Sequence, residues 1–176
     1  FCGHFGICGG CKWQMLPYEK QLQYKQNEVE QNLRRLGRIQ LPPLLPILGC
    51  EKSIRYRNKL EFTFSNRRYK TWDEMRQTDT ESEKREENAL GFHVPRLFDK
   101  IIDIHTCHLM EEPANLIKNT IRQFALEQGH EFYDIKNHTG WLRNLIIRVC
   151  TTGEVMVNLC FGHDNADERK KLFDHL

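Results

Sequence analysis

Three cysteines stand within ten residues near the start of the chain, Cys2-x5-Cys8-x2-Cys11, in the run FCGHFGICGGCKW. Nothing else in the sequence limits the fold so tightly. There are seven cysteines in all, an odd number, and no basic-then-apolar leader segment, so the pattern does not read as a secreted disulfide framework. Thiols crowded in this way read as ligands to a shared metal ion or iron–sulfur centre. Gly3, Gly6, Gly9 and Gly10 suit that role, because a loop wrapping such a centre needs left-handed backbone angles and amides close to the sulfurs. Four ligands are required, so one must come from elsewhere. Cys107, in IDIHTCHLME between a predicted strand and a predicted helix, is the best placed, with His4, His105 and His108 as spare donors. Zinc and an iron–sulfur cluster both accept four thiolates, and spacing alone leaves both open. Cys50, Cys150 and Cys160 read as small buried hydrophobes.

The rest of the chain supplies ordinary globular material, about one large domain or two small ones. With 39% hydrophobic and 28% charged residues, the composition excludes collagen, a coiled-coil rod and a wholly disordered chain. No apolar run approaches the length that spans a bilayer, and the longest, Leu41–Leu48, carries three prolines. The net charge of +2 hides two opposed segments. Between Lys52 and Lys70 there are seven basic residues and one acidic residue, Glu61; between Thr71 and Asn88 there are seven acidic and three basic. The first residue is Phe1, and the chain ends inside an amphipathic pattern, so the sequence is expected to be part of a longer protein.

Periodicity predicts a helix from Pro17 to Leu36, with Tyr18, Leu22, Val29, Leu33 and Leu36 on one face and Gly37 as its stop. An extended connector follows through Leu41–Pro46. Ile54–Phe64 alternates as a strand, with Ile54, Tyr56, Leu60, Phe62 and Phe64 inward and Arg55, Arg57 and Lys59 on the other face. Thr71–Asn88 reads as a mobile acidic loop between that strand and two more, Ala89–Val94 and Leu97–Ile104. A helix over Glu111–Glu127, with Leu116, Ile117, Ile121, Phe124 and Ala125 as its core face, precedes a hairpin of Leu142–Cys150 and Glu154–Phe161. A last helix begins at Asp164. The expected fold class is α+β: an antiparallel sheet with helices packed on one side, preceded by a Cys-rich loop and a long helix.

The ordered blocks Cys-x5-Cys-Gly-Gly-Cys-x-Trp-Gln, YEKQLQYKQNEVEQNLRRLG, ILGCEKSIRYRNKLEFTFSNRR, ALGFHVPRLFDKIIDIHTCHL and LRNLIIRVCTTGEVMV resemble the RNA uracil-5 methyltransferases. The subgroup they resemble is the iron–sulfur type that makes 5-methyluridine in 23S ribosomal RNA. The resemblance implies a [4Fe-4S] cluster held by Cys2, Cys8, Cys11 and Cys107. It implies a cluster loop over residues 1–15 and a helix over 16–40 that packs on a methyltransferase domain. A central RNA-recognition domain over 50–163 and the start of a following segment over 164–176 complete the division. It also implies an S-adenosylmethionine-dependent parent enzyme in the cytoplasm, with ribosomal RNA as its partner and no membrane. No glycine-rich strand–turn–helix motif for S-adenosylmethionine is present, and no segment matches the family's catalytic motifs, so no catalytic or S-adenosylmethionine-binding residue is assigned and the chain alone is expected to be inactive.

RNA recognition of an unpaired base combines cations along the backbone with stacking surfaces. Arg55, Arg57, Lys59, Arg67 and Arg68 are the candidate cations, and Tyr69, Trp72 or Trp141 the candidate stacking rings. Two other functions compete on the same residues: a structural zinc RNA-binding module, and a ferredoxin-type electron-transfer module. The second lacks the tandem cluster motifs and acidic docking surface that it would need.

Overall fold

A computed structural model describes residues 2–77 and 87–176. Half of the acidic segment, residues 78–86, therefore lies outside the described residues, and its near end, Trp72–Gln77, is a short helix where the sequence predicts a loop. In chain order the elements are α1 (Tyr18–Gln31), β1 (Lys59–Ser65), α2 (Trp72–Gln77), β2 (Ala89–Val94), β3 (Leu97–Asp103), α3 (Ala114–Glu127), β4 (Leu142–Val149), β5 (Val155–Phe161) and α4 (Ala166–His175). The strands form one antiparallel sheet in the order β3-β2-β1-β4-β5. The expected α+β class is what the structure has.

Alternation on β1 sets the core. Leu60, Phe62 and Phe64 turn to the same side and are buried, while Lys59 and Glu61 face solvent. Across the ladder Leu60 meets Ile147 and Phe62 meets Leu145, so the apolar rows of β1 and β4 coincide. Phe62 also stacks on Phe92 of β2 at 5.0 Å between ring centroids. On this face lies α3, which buries Ala114, Ile121, Phe124 and Ala125, and α4 adds Leu172.

Two expectations fail for identifiable reasons. The strand does not begin at Ile54. The last ladder bond on the β4 side runs from the Val149 amide to the Asn58 carbonyl, so no neighbouring strand remains to pair with earlier residues. The Arg55 and Arg57 amides donate instead to the carbonyls of His108 and Leu109, each at 2.8 Å, and Arg55 takes a left-handed φ of 54°. Ile54 and Tyr56 are consequently exposed. The second failure is the rotation of α3: Leu116, expected in the core, is 65% exposed, and Lys118 is buried in its place. Lys118 falls at the i+4 and i−3 positions of Ala114 and Ile121, which a hydrophobicity count passes over because the residue is charged.

α1 continues through a wider helical turn at Asn32–Leu36 and buries none of its residues. It packs on the extended connector instead. Gln26 donates to the Leu45 carbonyl at 3.2 Å and accepts from the Ile47 amide at 2.8 Å, and the Tyr18 hydroxyl accepts from the Cys50 amide at 2.7 Å.

Phe62→Ala is expected to cost about 3–5 kcal/mol in urea unfolding. Leu116→Ala should stay within about 0.5 kcal/mol, because its side chain stands in solvent. Equal losses at the two sites would contradict the observed rotation of α3.

Candidate metal centre

The four predicted thiols stand around one cavity. Cys2, Cys8, Cys11 and Cys107 line one cavity of about 270 Å³, together with Arg57 and His4. Each wall has a local cause. The cysteine loop is built from short turns, with the Phe5 amide donating to the Cys2 carbonyl and the Cys8 amide to the His4 carbonyl. Gly6 supplies a φ of 90° that other residues rarely adopt. Gly9 lets the loop lie on the turn after β2, where a Cβ would stand 3.1 Å from the His93 carbonyl oxygen. The fourth thiol comes from the turn between β3 and α3. Cys107 is 8% exposed, and Asn115 in the first turn of α3 holds it from both sides. Asn115 Oδ1 accepts from the Cys107 amide at 2.8 Å, and its Nδ2 donates to the Cys107 carbonyl at 3.2 Å. Asn115 carries no sequence signal for this task, since an Asn near a helix start reads as a cap.

Burial pushes the Cys8, Cys11 and Cys107 thiols above their ordinary values, and the neighbouring thiols push in the same direction. Opposing this, the Gly10 amide donates to Cys8 Sγ at 3.3 Å and the Leu109 amide to the Cys107 sulfur. The Arg57 guanidinium favours the thiolate at Cys11 and Cys107. The pocket thus favours the protonated form at Cys8, Cys11 and Cys107 and presents amides and a cation to them once they ionise. Among the described residues, no three His, Cys, Asp or Glu groups converge closely enough for one metal ion. Four thiolates on one zinc would stand only about 3.8 Å apart, given Zn–S bonds of about 2.3 Å. A cubane binds each ligand to a separate iron, and four thiols lining one cavity are a donor set of the kind it takes.

The remaining cysteines depart from expectation. Cys50 and Cys150 are exposed and Cys160 is partly exposed, since the first sits on the connector and the second in the hairpin turn. The candidate RNA cations are also scattered. Arg57 points to the thiol cavity, Arg55 pairs with Glu111 at 3.6 Å and Lys59 with Glu61 at 3.3 Å. Arg67 pairs with Asp134 at 3.6 Å and Arg68 with Glu74 at 2.8 Å, both partly buried. Trp141 is a core residue stacked on Phe161, and Tyr69 packs against the core, whereas Trp72 is 73% exposed. Arg148, which no sequence pattern singles out, stands directly across from Lys59 on the exposed side of the sheet. Only the strand register finds it.

Asn115→Ala should lower stability by about 1–3 kcal/mol, because it leaves the buried Cys107 amide without its acceptor. Alkylation of the metal-free chain below pH 9 should be slow at Cys8, Cys11 and Cys107, whose thiols are held protonated, and fast at exposed Cys50. Asn115→Ala should accelerate it at Cys107 alone. Mass spectrometry of labelled peptides reads both outcomes.

No protein-family model matches the chain. All 176 residues are similar to an uncharacterized RNA methyltransferase of Bacteroides thetaiotaomicron, at 52% identity over 38% of that protein's length. An uncharacterized RNA methyltransferase of Porphyromonas gingivalis is 42% identical over 174 residues, which cover 98% of this chain and 37% of that one. Among solved structures, the Pyrococcus abyssi tRNA (uracil-54, C5)-methyltransferase in complex with S-adenosyl-L-homocysteine matches 95% of this chain and 34% of its own, at a TM-score of 0.64 and 24% identity, a likeness of fold. The chain spans a little over a third of the length of these curated relatives, and it is related end to end to a segment of proteins named RNA methyltransferases.

Proposed function

We propose that this chain is the cluster-binding and RNA-gripping segment of an S-adenosylmethionine-dependent RNA (uracil-5-)-methyltransferase. Cys2, Cys8, Cys11 and Cys107 hold a [4Fe-4S] cluster, and 23S ribosomal RNA in the cytoplasm is the substrate. The observation that carries the reading is the meeting of four thiols from residues 2–11 and 107 around one cavity. Relatives named RNA methyltransferases and the fold of a uracil-C5 methyltransferase support the reaction class. A single zinc ion is the second reading, since four thiolates suit either occupant.

When bound, the cluster supplies a rigid link between the N-terminal loop and the turn before α3. Four cysteine ligands leave its irons closed to substrate, which makes the role structural rather than chemical. Methyl transfer itself falls to a part of the parent outside these residues, and the chain alone should transfer no methyl group from S-adenosylmethionine to RNA. The exposed apolar residues of α1 and its connector, among them Tyr24, Val29, Leu36, Leu45 and Leu48, form the surface on which the parent's methyltransferase domain packs. α1 buries none of its own residues, and the relatives are more than twice as long as this chain.

RNA is gripped on the exposed side of the sheet and its approach. Arg55, Arg57 and Lys59 are the exposed members of the candidate cation set, with Arg57 also lining the thiol cavity, and Arg148 joins them. Arg67 and Arg68 are tied to carboxylates and serve chiefly to fix the loop after β1. Of the three candidate stacking rings, Trp72 is the exposed one.

Anaerobic reconstitution should give about four irons per chain and a brown absorbance. Cys107→Ser should lose most of the iron, and Cys50→Ser none. A colourless protein with one tightly held zinc would favour the zinc module instead. For RNA, Arg55→Ala with Lys59→Ala and Arg148→Ala should weaken binding and flatten the salt dependence by about 0.7–0.9 for each phosphate left unneutralised. An unchanged slope would remove this face from the interface. Methylation assays of the parent on 23S RNA and on tRNA decide the substrate.

A further inference from the structure

Lys118 lies on the face of α3 turned to the sheet and is 0% exposed. Lysine is almost never fully buried without a partner of opposite charge. None of the ion pairs among the described residues includes it. Its Nζ donates to Asn119 Oδ1 at 2.5 Å and lies 5.9 Å from the Phe62 ring centroid, and neither contact neutralises a charge. Asp103 is engaged elsewhere. Its carboxylate accepts from Arg122 at 2.7 and 3.0 Å and from the Leu90 amide at 2.9 Å.

The location of this ammonium is specific. One turn before it, Asn115 holds the amide and carbonyl of Cys107, and beside it Asn119 Nδ2 reaches the His105 carbonyl at 3.1 Å. Lys118 is thus bonded to one of two side chains of α3 that grip the turn carrying Cys107. Its charge acts on His4 in the cysteine loop, and Cys107 acts on it in turn. In the metal-free chain, burial holds its ammonium down to about 8, against the pull of Asp103.

We propose that Lys118 is the buried counter-charge of the thiolate centre, compensating from the protein side the net negative charge that Arg57 compensates from the cavity. This inference rests on the [4Fe-4S] reading above. A [4Fe-4S] core in its resting state with four thiolates is a dianion, and a cation sealed from water stabilises it without the screening that weakens surface charges. In the metal-free fold, the hydrogen bond to Asn119 and the approach to Phe62 leave the buried charge without an ion-pair partner. A methionine of similar volume would pack there without desolvating a charge, so the lysine is explained by an anion that appears only on loading.

The test compares wild type with Lys118→Met and, should that variant fold poorly, Lys118→Gln. Each is reconstituted anaerobically with iron and sulfide. Three quantities are read at neutral pH: iron loss to a chelator, the midpoint potential of the cluster, and the urea midpoint of the metal-free protein. The counter-charge role predicts about ten-fold faster iron loss and a more negative potential. It also predicts a metal-free protein at least as stable as wild type, a pairing of signs that a merely structural lysine would not give. Unchanged iron loss and potential, in a wild type that takes up its cluster, would overturn the role of Lys118 and leave the cluster reading standing. Faster loss accompanied by an equally weakened metal-free fold would overturn it too. A wild type that takes up no iron would overturn the cluster reading, and this inference with it.

Discussion

The turn from Ile104 to Met110 is the constraint on which the rest of the site depends. It carries buried backbone groups that must find partners, and their partners are what assemble the neighbourhood. Asn115 satisfies both polar groups of Cys107 and thereby fixes α3 to the turn. The carbonyls of His108 and Leu109 capture the amides of Arg55 and Arg57, which bends the approach to β1 out of the sheet. Cys107 is thus held by hydrogen bonds that need no metal. The loop of Cys2–Cys11 is different, since its internal bonds are short-range turns and it meets the sheet through Gly9. One half of the centre is anchored in the core and the other is brought to it. A metal or cluster joining them closes about a hundred residues of chain, and its binding energy counts toward folding in proportion.

Electrostatics of the empty cavity run against ionisation, and those of the filled one run with it. Burial and mutual repulsion favour the protonated form at Cys8, Cys11 and Cys107, so loading must release protons there and grows easier as pH rises. The amides of Gly10 and Leu109 and the Arg57 guanidinium matter only after that release. Such an arrangement raises the cost of a bare thiolate while lowering that of a bound one.

Much of this is legible in the sequence, and the rest is hidden for physical reasons. The order of the strands and of the longer helices follows from the two periodicities, while the short helix at Trp72–Gln77 does not. The four cysteines come from clustering and from the position of Cys107 between elements. The start of β1 does not, since the alternation of Ile54–Phe64 continues past the last residue that has a strand to pair with. Lys118 and Leu116 exchange places because a charge in a core position looks, to any hydrophobicity rule, like a solvent face. Asn115 is silent for a related reason: its work is directed at a residue eight positions earlier, by a contact that no local pattern encodes. Arg148 needs the register of β4 against β1 before it can be placed beside Lys59.

The short stretch before β1 joins the two halves of the proposed function. Its backbone is pinned to the Cys107 turn, Arg57 faces the thiols, and Arg55 reaches Glu111 on the same turn's far side. Lys59 then leads into the sheet face where Arg148 stands. Like charges directly opposite on neighbouring strands repel, and an RNA phosphate between them would relieve that repulsion. A centre that stiffens the Cys107 turn therefore stiffens the same segment from which the surface cations project. Under the proposed function, a bound cluster would act on RNA binding through the position of this short run of backbone.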